Sequence, residues 1–157
     1  MARYRSILSL ILVIVATLIV SCGGPTVATV AQTYTDAQLE QIQRYVPEIT
    51  ALRGRMNQIP ALIQRRDWMD VSDFIHGPLG EMRMQMTYVT RHLLPKDQEA
   101  ARQATRDLFD HLVKIEQAAQ VDNSQGARLN YKAALADIDT FLQLVPQPSI
   151  EQPGSEA

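Results

Sequence analysis

Large apolar residues return every three or four positions along Trp68, Val71, Ile75, Leu79, Met82, Met86, Val89 and Leu93. That period lines one face of a long helix. Directly beyond it stands Leu94-Pro95-Lys96-Asp97. Proline cannot continue a helix, yet it is well suited to the first turn of the next one. Trp68 to Arg102 therefore predicts an antiparallel hairpin of helices, the second beginning at about Asp97. Its apolar faces have to be covered by the other segments.

Those segments carry the same period. A first helix is predicted from Thr35 or Asp36, both good caps, with Leu39, Ile42, Val46, Ile49, Leu52, Met56 and Ile59 inward. Pro47 should kink or interrupt it, Pro60 should end it, and Ala61 to Asp67 should link it to the second helix. Gly77-Pro78 should bend that second helix. The third runs to about Gln120 with Ala101, Ala104, Leu108, Leu112, Ile115 and Ala119 inward. After the turn signal Asp122-Asn123-Ser124, a fourth carries Ala127, Tyr131, Ala134, Ile138, Phe141 and Val145 up to Pro146. No alternating Val/Ile/Thr-rich run competes for a strand. With 157 residues the chain has room for one domain with a core of its own. The predicted class is all-α, a four-helix up-down-up-down bundle over residues 36–146 on an N-terminal lipidated tether.

The N-terminus supplies the tether. Arg3 and Arg5 precede an apolar run from Ile7 to Val20, shorter than the about 20 residues of a membrane-spanning helix. The run closes on Ile19-Val20-Ser21-Cys22-Gly23, which is similar to a bacterial lipoprotein signal box, although Ile19 stands where leucine is usual. Residues 1–21 are then a signal peptide and Cys22, the chain's only cysteine, is the lipidation site. Several acyl chains on one residue anchor a protein far more firmly than a single chain. Residues 22–35 form a flexible tether of small and polar residues. Residues 147–157, rich in proline, form a loose tail.

Charge narrows the function. Without residues 1–21 the chain keeps 13 basic against 17 acidic residues, a poor balance for binding nucleic acid. Catalytic arrangements are missing: no Gly-x-Ser-x-Gly, no phosphate-cradling glycine loop, and a thiol expected to be blocked by lipid. A di-iron bundle needs two Glu-x-x-His pairs, and this chain offers only the imperfect Asp73-Phe74-Ile75-His76. Met82 or Met86 with His92 or His111 would be the ligands of a non-covalent haem, and His76, His92 or His111 those of a surface zinc. A lipid-anchored metal- or haem-binding bundle is accordingly the rival function. The bland readings are core methionines and solvated or helix-terminal histidines. Asp137 and Asp139 lie two apart and face differently, as solvated carboxylates would. Arg53, Arg55, Arg65 and Arg66 suit either helix C-termini or a docking patch. Trp68 suits either a plug at the bundle's end or an exposed contact anchor.

Three ordered blocks carry a resemblance. They are Phe74-Ile75-His76-Gly77-Pro78-Leu79-Gly80-Glu81-Met82-Arg83; Leu93-Leu94-Pro95-Lys96-Asp97-Gln98 with Ala100-Ala101-Arg102; and Asn130-Tyr131-Lys132-Ala133-Ala134-Leu135-Ala136-Asp137-Ile138-Asp139 with Phe141-Leu142 and Val145-Pro146. In these the chain resembles the PsbQ family in its cyanobacterial lipoprotein form. The resemblance implies a non-catalytic four-helix extrinsic subunit of photosystem II, without cofactor, on the lumenal side of the thylakoid membrane. It would stabilise the oxygen-evolving complex and the assembled dimer. Implied partners are PsbO and the lumenal loops of the core, with the membrane reached through lipid on Cys22. Two of the blocks adjoin in the hairpin, so its exposed charges, Arg83 and Lys96, are the expected docking surface.

Overall fold

The computed structural model describes residues 33–147; the expected signal peptide, Cys22, most of the expected tether and nearly all of the expected tail lie outside them. The described residues are helical throughout, without a strand. They form four helical stretches, of which only the last two are unbroken. The first is α1 (Asp36–Gln43), α2 (Val46–Arg55), a 3-10 turn (Met56–Gln58) and α3 (Ile59–Arg65). The second is α4 (Trp68–His76) and α5 (Pro78–His92). The third is α6 (Pro95–Gln120) and the fourth α7 (Ser124–Leu144).

Local chemistry sets most of these limits. Thr35 closes a capping box with Gln38, its hydroxyl accepting the Gln38 N–H at 3.2 Å while Gln38 Oε1 accepts the Thr35 N–H at 3.0 Å. Pro47, Pro60, Pro78 and Pro95 each stand in the first turn of a helix, where the missing N–H costs nothing. Asn123 caps α7 by accepting the Gly126 N–H at 2.9 Å.

Two expectations change here. Pro60 opens α3 instead of ending the first helix, so the predicted link from Ala61 to Asp67 is largely helical and buries Ile63. What stops α3 is Arg66 in the left-handed conformation, φ 59°, a C-cap form usually taken by glycine. Pro78, in turn, begins a new helix after Gly77. The predicted second helix is thus divided into α4 and α5 at Gly77 rather than bent as one helix.

The core is continuous across all four stretches. Ile42, Ile49, Met56, Ile59 and Ile63 meet Val71, Leu79, Met82, Met86 and Val89, with Leu108, Leu112, Ile115, Ile138 and Phe141 from the two long helices. Leu39 and Val46 are only half-buried, and on α6 Ala118 rather than Ala119 turns inward. The alanines of α6 and α7 bring these helices together, the most extensive helix pairing among the described residues. Tyr45 stacks on Tyr88 with ring centroids 5.4 Å apart, which ties the first stretch to α5. Gln43 donates to the Pro146 carbonyl at 3.1 Å, closing the other end of the chain onto α1. Tyr34, just ahead of α1, packs on the core and accepts the Leu94 N–H at 3.3 Å.

Candidate functional site

The surface of interest lies where α5 and α6 run beside each other. Arg83 is on an exposed turn of α5, its guanidinium 4.2 Å from the centre of the Phe109 ring of α6. This is cation–π stacking, which holds the charge at the surface while Phe109 stays buried. Lys96 is exposed in the first turn of α6. Both expected docking residues therefore belong to this helix pair, but only Arg83 lines the groove between the helices. That groove has a volume of about 420 Å³ and is lined also by Arg91, Arg102 and Arg106 and by Thr87, Thr90 and Thr105.

Arg91, Arg102 and Arg106 were not singled out from the sequence. The usable signal was spacing: Arg83 and Arg91 lie eight residues apart, Arg102 and Arg106 four apart, so each pair shares a helical face. Glu99 is already bound there, to Arg102 Nε and Arg106 Nη2 at 3.0 Å each. Hydrogen bonds from Arg106 and then Arg102 hold its carboxyl below the ordinary range.

The other arginine cluster stays at the surface but is mostly engaged by the fold's own helix ends, carboxylates and Phe74. Arg53 and Arg55 end α2 and Arg65 ends α3, as the helix dipole favours. Arg53 also reaches Asp139, Arg66 pairs with Asp122, and Arg55 lies 5.4 Å from the centre of the Phe74 ring. Trp68 is half-buried against the core, with its indole N–H donated to Asp122 Oδ1 at 2.9 Å. It behaves as the plug and not as an exposed anchor.

Asp137 and Asp139 are not the solvated carboxylates expected. Because they face differently, each finds its own partner: Asp137 meets His111 Nδ1 at 2.7 Å across α6, and Asp139 meets Arg53 of α2. His76 contacts Glu116 at 2.7 Å. His92 Nδ1 lies 2.8 Å from the Tyr88 carbonyl of its own helix. Met82 and Met86 are fully buried core residues. Among the described residues no three His, Cys, Asp or Glu converge, and no helix is long and apolar enough to cross a membrane.

Comparison with known proteins gives this arrangement a context. The family model described as "PsbQ: Oxygen evolving enhancer protein 3" matches residues 2–146. CyanoQ of Synechocystis sp. is 43% identical over 150 residues, covering 95% of this chain and 100% of that protein. The agreement runs through all four helical stretches as well as the N-terminal region, and with it the chain belongs to the PsbQ family.

Proposed function

We propose that this chain is a non-catalytic extrinsic subunit of photosystem II on the lumenal side of the thylakoid membrane. There it stabilises the oxygen-evolving complex and the assembled dimer. The observation that carries the reading is the identity with CyanoQ along essentially the whole of both chains, together with a family described as an oxygen-evolving enhancer. The four helical stretches run up-down-up-down, since short connections favour antiparallel neighbours. Residues 1–21 are removed as a signal peptide, and lipid on Cys22 tethers the bundle to the membrane through the residues ahead of Tyr34, which itself packs on the core. PsbO and lumenal loops of the core are the partners, met through the α5–α6 surface that exposes Arg83 and Lys96.

The metal- or haem-binding alternative has no observation to rest on. Its candidate methionines are core residues, and its histidines are engaged by a carboxylate or by a carbonyl of their own helix. Affinity capture of the tagged full-length protein from detergent-solubilised thylakoid membranes tests the proposal. Photosystem II core subunits and PsbO should be recovered, and the eluted protein should show no Soret band and no stoichiometric metal. Recovery without photosystem II, or with a bound chromophore, would defeat it.

A further inference from the structure

We infer that the groove between α5 and α6 is a receptor for an extended acidic protein segment bearing carboxylates on alternate residues. The inference rests on the function proposed above and names the ligand chemistry of its docking surface.

Four guanidiniums converge on the groove, from Arg83, Arg91, Arg102 and Arg106, in a chain whose formal net charge is −2. They are ranged in two pairs, one along each helix. Arg102 and Arg106 are separated along α6 by ~6 Å, and Arg83 and Arg91 along α5 by ~12 Å. An extended peptide advances ~6.6 Å for every two residues and presents alternate side chains on one side. Carboxylates at every second residue therefore match the spacing of the arginines along either wall, about one step for Arg102 and Arg106 and about two for Arg83 and Arg91. A single phosphate would meet only part of this strip.

The threonines support the same choice. Thr87, Thr90 and Thr105 each donate their hydroxyl proton to a carbonyl of their own helix, at 2.8, 2.7 and 2.8 Å. Their methyl groups and oxygen lone pairs remain for the groove, with no hydroxyl donor for an anion. The lining thus joins four cations to three threonines that offer no free donor. It fits a segment that turns its alternate carboxylates toward the arginines and its small side chains away from them.

Glu99 supplies an internal precedent. It is a carboxylate held by two of the four arginines, yet its side chain is 70% exposed. Exposed ion pairs contribute little and exchange readily with solvent, so an incoming carboxylate can take over these guanidiniums. Arginine's planar fork suits it to that bidentate exchange.

Fluorescence anisotropy of a labelled alternating Glu-Ala peptide, long enough at about eight residues to span the arginines, tests this on the full chain in detergent. The alternating Gln-Ala peptide is the control. Binding should be saturable, confined to the Glu-Ala peptide and weakened by salt. Arg102→Gln with Arg106→Gln should weaken it about tenfold or more. Glu99→Gln, which removes the internal competitor, should strengthen it, and Arg55→Gln should leave it unchanged. A purely structural role for Glu99 and its arginines would not give opposite signs. Equal peptide binding by wild type and the double variant overturns the inference. So does arginine-dependent binding to phosphatidylglycerol vesicles without peptide binding, which would make the groove a membrane contact. Capture from thylakoid membranes separates this from the function itself. If the double variant loses the peptide but stays with photosystem II at the wild-type level, the groove is not the docking site and the proposed function stands. If wild type binds the peptide but never co-purifies with photosystem II, the proposed function fails and the groove's chemistry survives.

Discussion

Arg53 and Asp139 face each other across 86 residues of sequence and bond twice, Nε to Oδ1 at 2.7 Å and Nη2 to Oδ2 at 2.8 Å. The pair fastens α2 to α7 where the first helical stretch crosses the last. A forked arginine–carboxylate contact fixes geometry as well as charge. Arg53 holds the Asp139 carboxyl below its ordinary range, chiefly by hydrogen bonding, and Asp139 raises the Arg53 guanidinium in turn. A carboxylate whose folded pKa is depressed stabilises the fold above its unfolded pKa and loses that contribution as pH falls through the folded value. Both side chains are partly exposed, 27% and 42%, so screening keeps the effect small. Asp139→Asn should cost about 0.5–1 kcal/mol at neutral pH. The difference from wild type should shrink below about pH 4 and disappear in strong acid. Urea titrations of both proteins across that range check it; a gap that persists in acid would assign the loss to packing.

Two glycines should respond oppositely to alanine. Gly54 lies in α2, and a Cβ added there meets nothing within 4 Å. Gly54→Ala should therefore stabilise by about 0.5–1 kcal/mol, the usual helix preference of alanine. At Gly77 a Cβ would stand 2.8 Å from the Asp73 carbonyl oxygen, the same atom that accepts the Gly77 N–H at 2.9 Å. Backbone cannot rotate away as a side chain can, so Gly77→Ala should cost about 1–3 kcal/mol. Thermal denaturation followed by circular dichroism separates the two signs.

The long helices were legible because their burial is periodic: Leu108, Leu112 and Ile115, or Ile138 and Phe141, fall on one face by spacing alone. Where the reading failed, one residue type admitted two roles. Pro60 is as good a start as a stop, and only the left-handed Arg66, which no propensity anticipates, marks the real end of α3. The groove between α5 and α6 was half-legible. Arg83 was found through its place in the hairpin, whereas Arg91, Arg102 and Arg106 acquire meaning only once α5 and α6 are set side by side. Asp139 likewise looked solvated because its partner belongs to a helix far away in sequence.

Core truncation gives a direct reading of how much the packing contributes. Leu108 and Ile138 are both fully buried, on the two helices with the most extensive contact. Removing either side chain should leave a cavity, since α6 and α7 already meet through alanines and have little room to collapse further. Leu108→Ala and Ile138→Ala should each cost about 2–5 kcal/mol in a denaturant titration. A loss under about 0.5 kcal/mol, typical of surface positions, would contradict their place in the core.

Lys96 and Arg83 separate docking from stability. Lys96 occupies the first turn of α6, where the helix dipole favours an acid over a base. Lys96→Glu should therefore stabilise the isolated protein slightly, by about 0.3–1 kcal/mol. Arg83→Glu loses the stacking on Phe109, which should cost about 0.5–1 kcal/mol. If the α5–α6 surface docks, both reversals weaken capture of photosystem II despite their opposite effects on folding, and the loss grows with ionic strength. Arg55→Glu and Lys132→Glu, on other parts of the surface, should leave capture near wild type. Because Lys96→Glu makes a better-folded protein, weaker capture by that variant cannot be blamed on unfolding. Detachment by Arg55→Glu or Lys132→Glu alone would move the interface away from the α5–α6 pair.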